Sequence, residues 1–95
     1  MRTYELTFIV ATDVNEEELN GVVSQVQGWV EESSGKVVKT DHWGRRRLAY
    51  SIAEFNEGHY VSLDCELEQK ALPELERNLK LAAHMLRYLL IRVGE

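Results

Sequence analysis

The 95-residue chain has one cysteine, Cys65, so no internal disulfide can form. Nothing in its cysteine usage points to an oxidising compartment, and a cytoplasmic location is expected. Proline occurs once, at Pro73, where the first turn of a helix tolerates it. No apolar run approaches the roughly 20 residues of a spanning helix, which excludes a helical membrane protein. The opening Met1-Arg2-Thr3-Tyr4-Glu5-Leu6 is interrupted by Glu5 and reads as neither a signal nor a transit peptide. Basic charge is also short: 11 Lys and Arg against 16 Asp and Glu give a formal net charge of −5. A domain that grips nucleic acid by bulk electrostatics carries a basic surplus, so any such binding here has to be local.

Catalytic constellations are missing too. His42, His59 and His84 lack helical spacing and a cysteine pair, so they read as surface or turn histidines rather than zinc ligands. Asp41 and His42 are neighbours on an extended segment and point to opposite faces, with no serine or cysteine to complete a triad. The turn Ala11-Thr12-Asp13-Val14-Asn15 has neither glycine nor arginine to cradle a phosphate. Cys65 alternates onto the apolar side of a strand, where an inert buried thiol is the ordinary outcome. No enzyme activity, metal or cofactor is expected.

What is present is ordinary globular usage, 44% apolar and 28% charged residues, enough for one domain over residues 1–95. Tyr4, Leu6, Phe8 and Val10 alternate with Glu5, Thr7 and Ile9, the period of a strand with one face on a core. Asp13 with Glu16 resembles a capping box, and Glu16-Glu17-Glu18 suit the positive end of a helix dipole. Leu19, Val22, Val23, Val26, Trp29 and Val30 then form one helical stripe. Gly28 inside it costs about 1 kcal/mol relative to alanine, and close approach to a sheet is the expected return. Gly35 is the expected stop.

From Lys36 to Ile52 the β-branched and aromatic content predicts a long strand, interrupted by a bulge or bend at Gly44. Asn56-Glu57-Gly58 supplies turn chemistry, and Val61, Leu63, Cys65 and Leu67 mark a hairpin partner. Leu72, Leu75, Leu79 and Ala82 or Ala83 stripe a second helix ending near His84, and Leu86–Val93 suits a fourth strand. The order βαββαβ predicts an α+β, ferredoxin-like fold: a four-stranded antiparallel sheet with two helices packed on one face. The other face is left for a partner.

An RNA-recognition module on this topology would stack bases on that face, but Tyr60 there is accompanied by Glu5, Asp64 and Glu66, which repel a phosphate backbone. The most unusual segment is Trp43-Gly44-Arg45-Arg46-Arg47-Leu48-Ala49-Tyr50-Ser51-Ile52. Two readings of its arginines are open: an edge strand protected by charge, or forked donors reaching phosphate oxygens around a Gly44 bulge.

The stretch Gly44-Arg45-Arg46-Arg47-Leu48-Ala49-Tyr50-Ser51-Ile52 resembles throughout the signature of the family of the sixth protein of the bacterial small ribosomal subunit. The opening Met1–Glu5 and the element lengths to about residue 93 are similar as well. The resemblance implies a structural protein of the ribosome that binds 16S ribosomal RNA in the central domain, together with the eighteenth small-subunit protein as heterodimer partner. A basic partner would supply bulk counter-charge and so account for the acidic total. By matched position, Arg2, Arg45, Arg46, Arg47, Arg87 and Arg92 are the expected RNA or partner contacts. Tyr4 and Tyr50 join them on one reading, and on the other Tyr4 is core and Tyr50 packs under the strand. Many relatives have proline where Ser51 stands, which predicts a softer turn, and many continue past strand four where this chain ends at Gly94-Glu95. Without the resemblance, a regulatory or dimerisation domain of the same fold, binding a small metabolite, would be the alternative.

Overall fold

The computed structural model describes residues 1–94, so the expected domain limit at residue 95 lies outside the described residues. The elements run β1 (Arg2–Ala11), α1 (Glu16–Glu32), β2 (Lys36–Ile52), β3 (Phe55–Leu67), a 3-10 turn (Gln69–Ala71), α2 (Leu72–Leu81) and β4 (Met85–Arg92). The strands form one four-stranded antiparallel sheet in the order β2-β3-β1-β4, with both helices on one face. This is the ferredoxin-like arrangement that the element order predicts.

Alternation decides what enters the core. Tyr4, Leu6, Phe8 and Val10 of β1 and Val61, Leu63, Cys65 and Leu67 of β3 are all buried, and the register sets them side by side. Val22, Val23, Val26 and Val30 of α1, with Leu75 and Leu79 of α2, cover that layer. Each fully buried Leu or Phe contributes about 2 kcal/mol relative to exposure. Tyr88 of β4 donates its hydroxyl to Glu76 Oε1 at 3.0 Å, which ties the last strand to α2.

Several local expectations need correction. The capping box belongs to Asn15 and Glu18, not Asp13 and Glu16: Glu18 N–H donates to Asn15 Oδ1 at 2.7 Å and Asn15 N–H to Glu18 Oε1 at 2.9 Å. Both pairs have the right spacing. Starting at Asn15 lets the preceding Val14 turn inward and, with Leu19, join the core as a hydrophobic staple. Gly28 provides no close approach, since a Cβ there would meet nothing within 4 Å. The close approach is at Gly35, just past the left-handed Ser34 (φ +64°) that ends α1.

The β2-β3 turn is not Asn56-Glu57-Gly58. Ile52 pairs with Phe55, and the two residues between, Ala53 (φ +51°) and Glu54 (φ +70°), both sit in the left-handed region, as a type I′ hairpin requires. Asn-Gly is the usual occupant of that turn, so Ala-Glu carried no signal. Gly58 instead lies inside β3, where a Cβ would stand 2.3 Å from Ile9 Cγ2. Helix α2 stops at Leu81 rather than near His84, whose own φ of +65° turns the chain into β4.

Candidate nucleic-acid interface

The sheet face away from the helices carries Glu5, Thr7 and Ile9 of β1, Tyr60, Asp64 and Glu66 of β3, and Arg87, Leu89 and Ile91 of β4, as the alternation and register require. Register also divides this face along the strands. Ile9 lies between Tyr60 and Arg87 at one end, while Glu5 pairs with Asp64 and Ile91 nearer the other. At the acidic end Lys36 and Lys39 of β2 stand opposite Glu66 and Asp64. The carboxylates that argue against nucleic acid are therefore gathered in one half and partly balanced there.

Strand β2 places the signature arginines by its irregularities. Its pairing with β3 slips by one residue between Val37 and Lys39 and again between His42 and Gly44. Each slip inserts one residue and reverses which side chains face which side. The second bulge carries Trp43, followed by Gly44 at φ +89°, so the bend expected at Gly44 is there. Beyond it Arg46 pairs with Gly58 on the open side, while Arg45 and Arg47 pair with His59 and Glu57 on the reverse side. Arg45 Nε donates to Glu57 Oε1 at 2.6 Å, an exposed ion pair worth at most about 1 kcal/mol. Arg46 and Arg47 have no carboxylate partner among the described residues.

On the open side the Trp43 ring stacks on Tyr60, with centroids 6.0 Å apart and planes 12° from parallel. The Arg46 guanidinium lies over Trp43, 5.5 Å from its centroid, and Arg46 Nε donates to the Trp43 carbonyl at 3.4 Å. Leu48 to Ser51 have no partner in the β3 register. This part of the chain coils across the sheet, and Arg87 of the opposite edge strand donates to the Tyr50 hydroxyl, with its guanidinium 6.0 Å from the Tyr50 ring centre. Leu48 is buried by the crossing, and a shallow groove of about 270 Å³ opens between Leu48, Tyr50, Ile9, Tyr60, Arg87 and Leu89. Ser51 Oγ donates to Asn56 Oδ1 at 2.7 Å, a side-chain clip across the base of the turn.

The expected contact residues thus fall into separate groups. Arg46, over Trp43, and the bonded pair Tyr50 and Arg87 share the open face, and Arg45 and Arg47 lie on the back of the same hairpin. Arg2 and Arg92 are exposed at the other end of β1, where Arg2 pairs with Leu67 and Arg92 with Tyr4. At about 3.3 Å per residue the ten-residue β1 separates the two ends by roughly 30 Å. Tyr4 is only 4% exposed and belongs to the core, so it leaves the candidate surface. Tyr50, at 59%, does not pack under the strand.

Trp43 and Tyr60 belong beside the arginines, a pairing the sequence did not suggest. The available signal was an indole next to the glycine of an expected bulge. Burial, and secondarily the Asp64 charge, push the Cys65 thiol up to about 11, which leaves it unreactive near neutrality. No group of three or more His, Cys, Asp or Glu among the described residues is arranged to hold a metal ion. No described helix is long and apolar enough to cross a membrane.

Comparison with known proteins adds to this geometry. A model of the family described as Ribosomal protein S6 matches residues 3–92. The small ribosomal subunit protein bS6 of Thermoanaerobacter pseudethanolicus is 39% identical over 95 residues, covering 100% of both chains. That of Desulforudis audaxviator is 35% identical over 92 residues, covering 97% of this chain and 98% of its own. The crystal structure of 30S ribosomal protein S6 from Thermotoga maritima superposes with a TM-score of 0.92 at 35% identity, covering 97% of this chain and 87% of that one. The P2 domain of the chemotaxis kinase CheA, solved in complex with the response regulator CheY from Thermotoga maritima, gives a TM-score of 0.66 at 19% identity, covering 97% and 98%, and shows the fold alone.

Proposed function

The chain belongs to the ribosomal protein S6 family, and from that premise we propose that it binds 16S ribosomal RNA in the central domain alongside the eighteenth small-subunit protein, as one domain over residues 1–95. Membership makes it a constituent of the small ribosomal subunit, working in translation in the cytoplasm and carrying out no turnover of its own. It also leaves the regulatory-domain alternative without support.

The observation that carries the reading is the placement of Arg45, Arg46 and Arg47 on a hairpin arm away from the acidic half of the sheet, with Arg46 and Arg47 lacking carboxylate partners among the described residues. Exposed guanidinium forks without internal carboxylate partners suit phosphate oxygens. Arg87 and Tyr50 extend that contact, and Arg2 and Arg92 form a second one at the far end of β1. Leu89 and Ile91, exposed beside the acidic half, suit a basic protein neighbour that brings its own apolar side chains.

The test replaces Arg45, Arg46 and Arg47 by alanine and measures assembly onto 16S ribosomal RNA, with the partner protein present, across a salt series. All three arginines are exposed, so the fold persists. Removing one arginine–phosphate pair lowers the slope of log affinity against log salt by about 0.7–0.9. Assembly unchanged at every salt concentration removes the arginines from the mechanism.

A further inference from the structure

We infer that Trp43, Tyr60 and Arg46 form a stacking platform for an unpaired base, so that the chain takes an exposed nucleotide of its RNA as well as phosphates. The inference rests on the proposed RNA binding and adds the class of nucleotide.

Trp43 occupies an inserted position. At its level the regular β2 residue facing Tyr60 is Gly44, which has no side chain, and the bulge brings the indole of the extra residue onto Tyr60 instead. The ring is 44% exposed, although a tryptophan contributes most to stability when buried. It is nonetheless held in place by two neighbours. Tyr60 lies nearly parallel to it, and the Arg46 guanidinium over it is anchored by the bond from Nε to the Trp43 carbonyl. The product is a flat, exposed, oriented π surface beside a second planar group that stacks bases equally well.

The electrostatic objection to bases on this sheet face concerns the other half. Glu5, Asp64 and Glu66 lie toward the Lys36 end, whereas the stack shares its half with Arg46 and Arg87. Asp41, opposite Ser62 on this face, is the nearest carboxylate in register and is paired with Lys39 at 3.6 Å, while Glu57 is on the reverse of the hairpin and engaged by Arg45. Arg47 follows Arg46 on the same edge strand, exposed and without a carboxylate partner among the described residues, which suits it to a phosphate of the same RNA. A paired base has both faces covered by its neighbours, so an exposed indole and guanidinium select a nucleotide from a loop, bulge or junction.

The test uses the full chain with Trp29→Phe, leaving Trp43 as the only indole, since the chain has two tryptophans. Trp43 emission is followed while the basic partner protein and then a central-domain fragment of 16S ribosomal RNA are added. Quenching on addition of the RNA is expected. Trp43→Leu in the parent chain should weaken RNA binding roughly 10-fold with an unchanged salt slope, and Trp43→Phe should restore most of it. Arg47→Gln should reduce the salt slope and leave the quenching in place. The stacking platform is overturned, with the RNA reading intact, if Arg47→Gln weakens binding while Trp43→Leu does not. It is overturned equally if the partner protein alone accounts for the whole change in emission, which would make the face a protein contact. If neither variant alters binding and no quenching occurs, both readings fail. Matching circular dichroism and thermal unfolding of the variants confirm that a weaker complex is not the result of misfolding.

Discussion

Replacing Gly35 by alanine tests whether the join of α1 to β2 is limited by space or by backbone conformation. The left-handed turn there is made by Ser34, and Gly35 itself has no positive φ, so alanine suits its dihedrals. Space is another matter. A Cβ at Gly35 would lie 2.6 Å from Leu67 Cδ2, 2.7 Å from the Glu66 carbonyl oxygen and 2.8 Å from the Val30 carbonyl oxygen. The Leu67 methyl can move only into a filled core, and the two oxygens are main-chain atoms of β3 and α1. Relief requires the end of α1 to lift from β3, stretching the 3.0 Å bond from Gly35 N–H to the Val30 carbonyl. Overpacking costs about 1–3 kcal/mol, and weakening that bond adds about 1 kcal/mol. With a urea m value of about 2 kcal/mol/M, the unfolding midpoint should fall by about 1–2 M. Gly28→Ala is the internal comparison: it lies inside α1 with open space around it, so the midpoint should rise, by about 0.5–1 kcal/mol in stability. A Gly35→Ala midpoint within about 0.2 M of the parent would refute the steric reasoning.

In the hairpin turn, Ala53 and Glu54 both bear the cost of a left-handed backbone. Replacing them by Asn and Gly should stabilise the protein by about 1–2 kcal/mol, a thermal midpoint gain of at least about 4 °C by circular dichroism, and a fall would contradict the turn type. Cys65 predicts a pH dependence. Its thiol stays protonated in the folded state to about 11, whereas the unfolded chain releases the proton near 9.0. Stability should therefore be unaffected by this group below about pH 9 and decline by about 2–3 kcal/mol as pH rises toward 11. Denaturant midpoints of the parent and Cys65→Ala, measured in parallel over that window, should converge at the alkaline end, and parallel curves would remove the effect.

Elements whose signal is local and repeated were legible in the chain itself. The alternation of Tyr4, Leu6, Phe8 and Val10, and the stripe from Val22 to Val30, each report a face that has to be buried, whatever covers it. The capping box was displaced by two residues because two pairs, Asp13 with Glu16 and Asn15 with Glu18, share the spacing and only the burial of Val14 separates them. The turn was misplaced because Ala53-Glu54 adopts an uncommon backbone that its own side chains do not favour.

The chain alone thus determined the βαββαβ order, the core-facing strand positions and, through Gly44–Ile52, the family. The tertiary structure decided which side chains of that segment meet. The first bulge reverses the facing of Lys39 to His42, the second restores it from Gly44 onward, and the unpaired Leu48–Ser51 carries Tyr50 across the sheet to Arg87. The same structure enclosed Tyr4, left Trp43 outside and separated the acidic half of the open face from the arginine half. The physical reason is that periodicity reports which side of a strand faces inward only while the register is unbroken. A bulge is an agreement between two strands, here β2 and β3 across one hairpin, and neither strand encodes it alone.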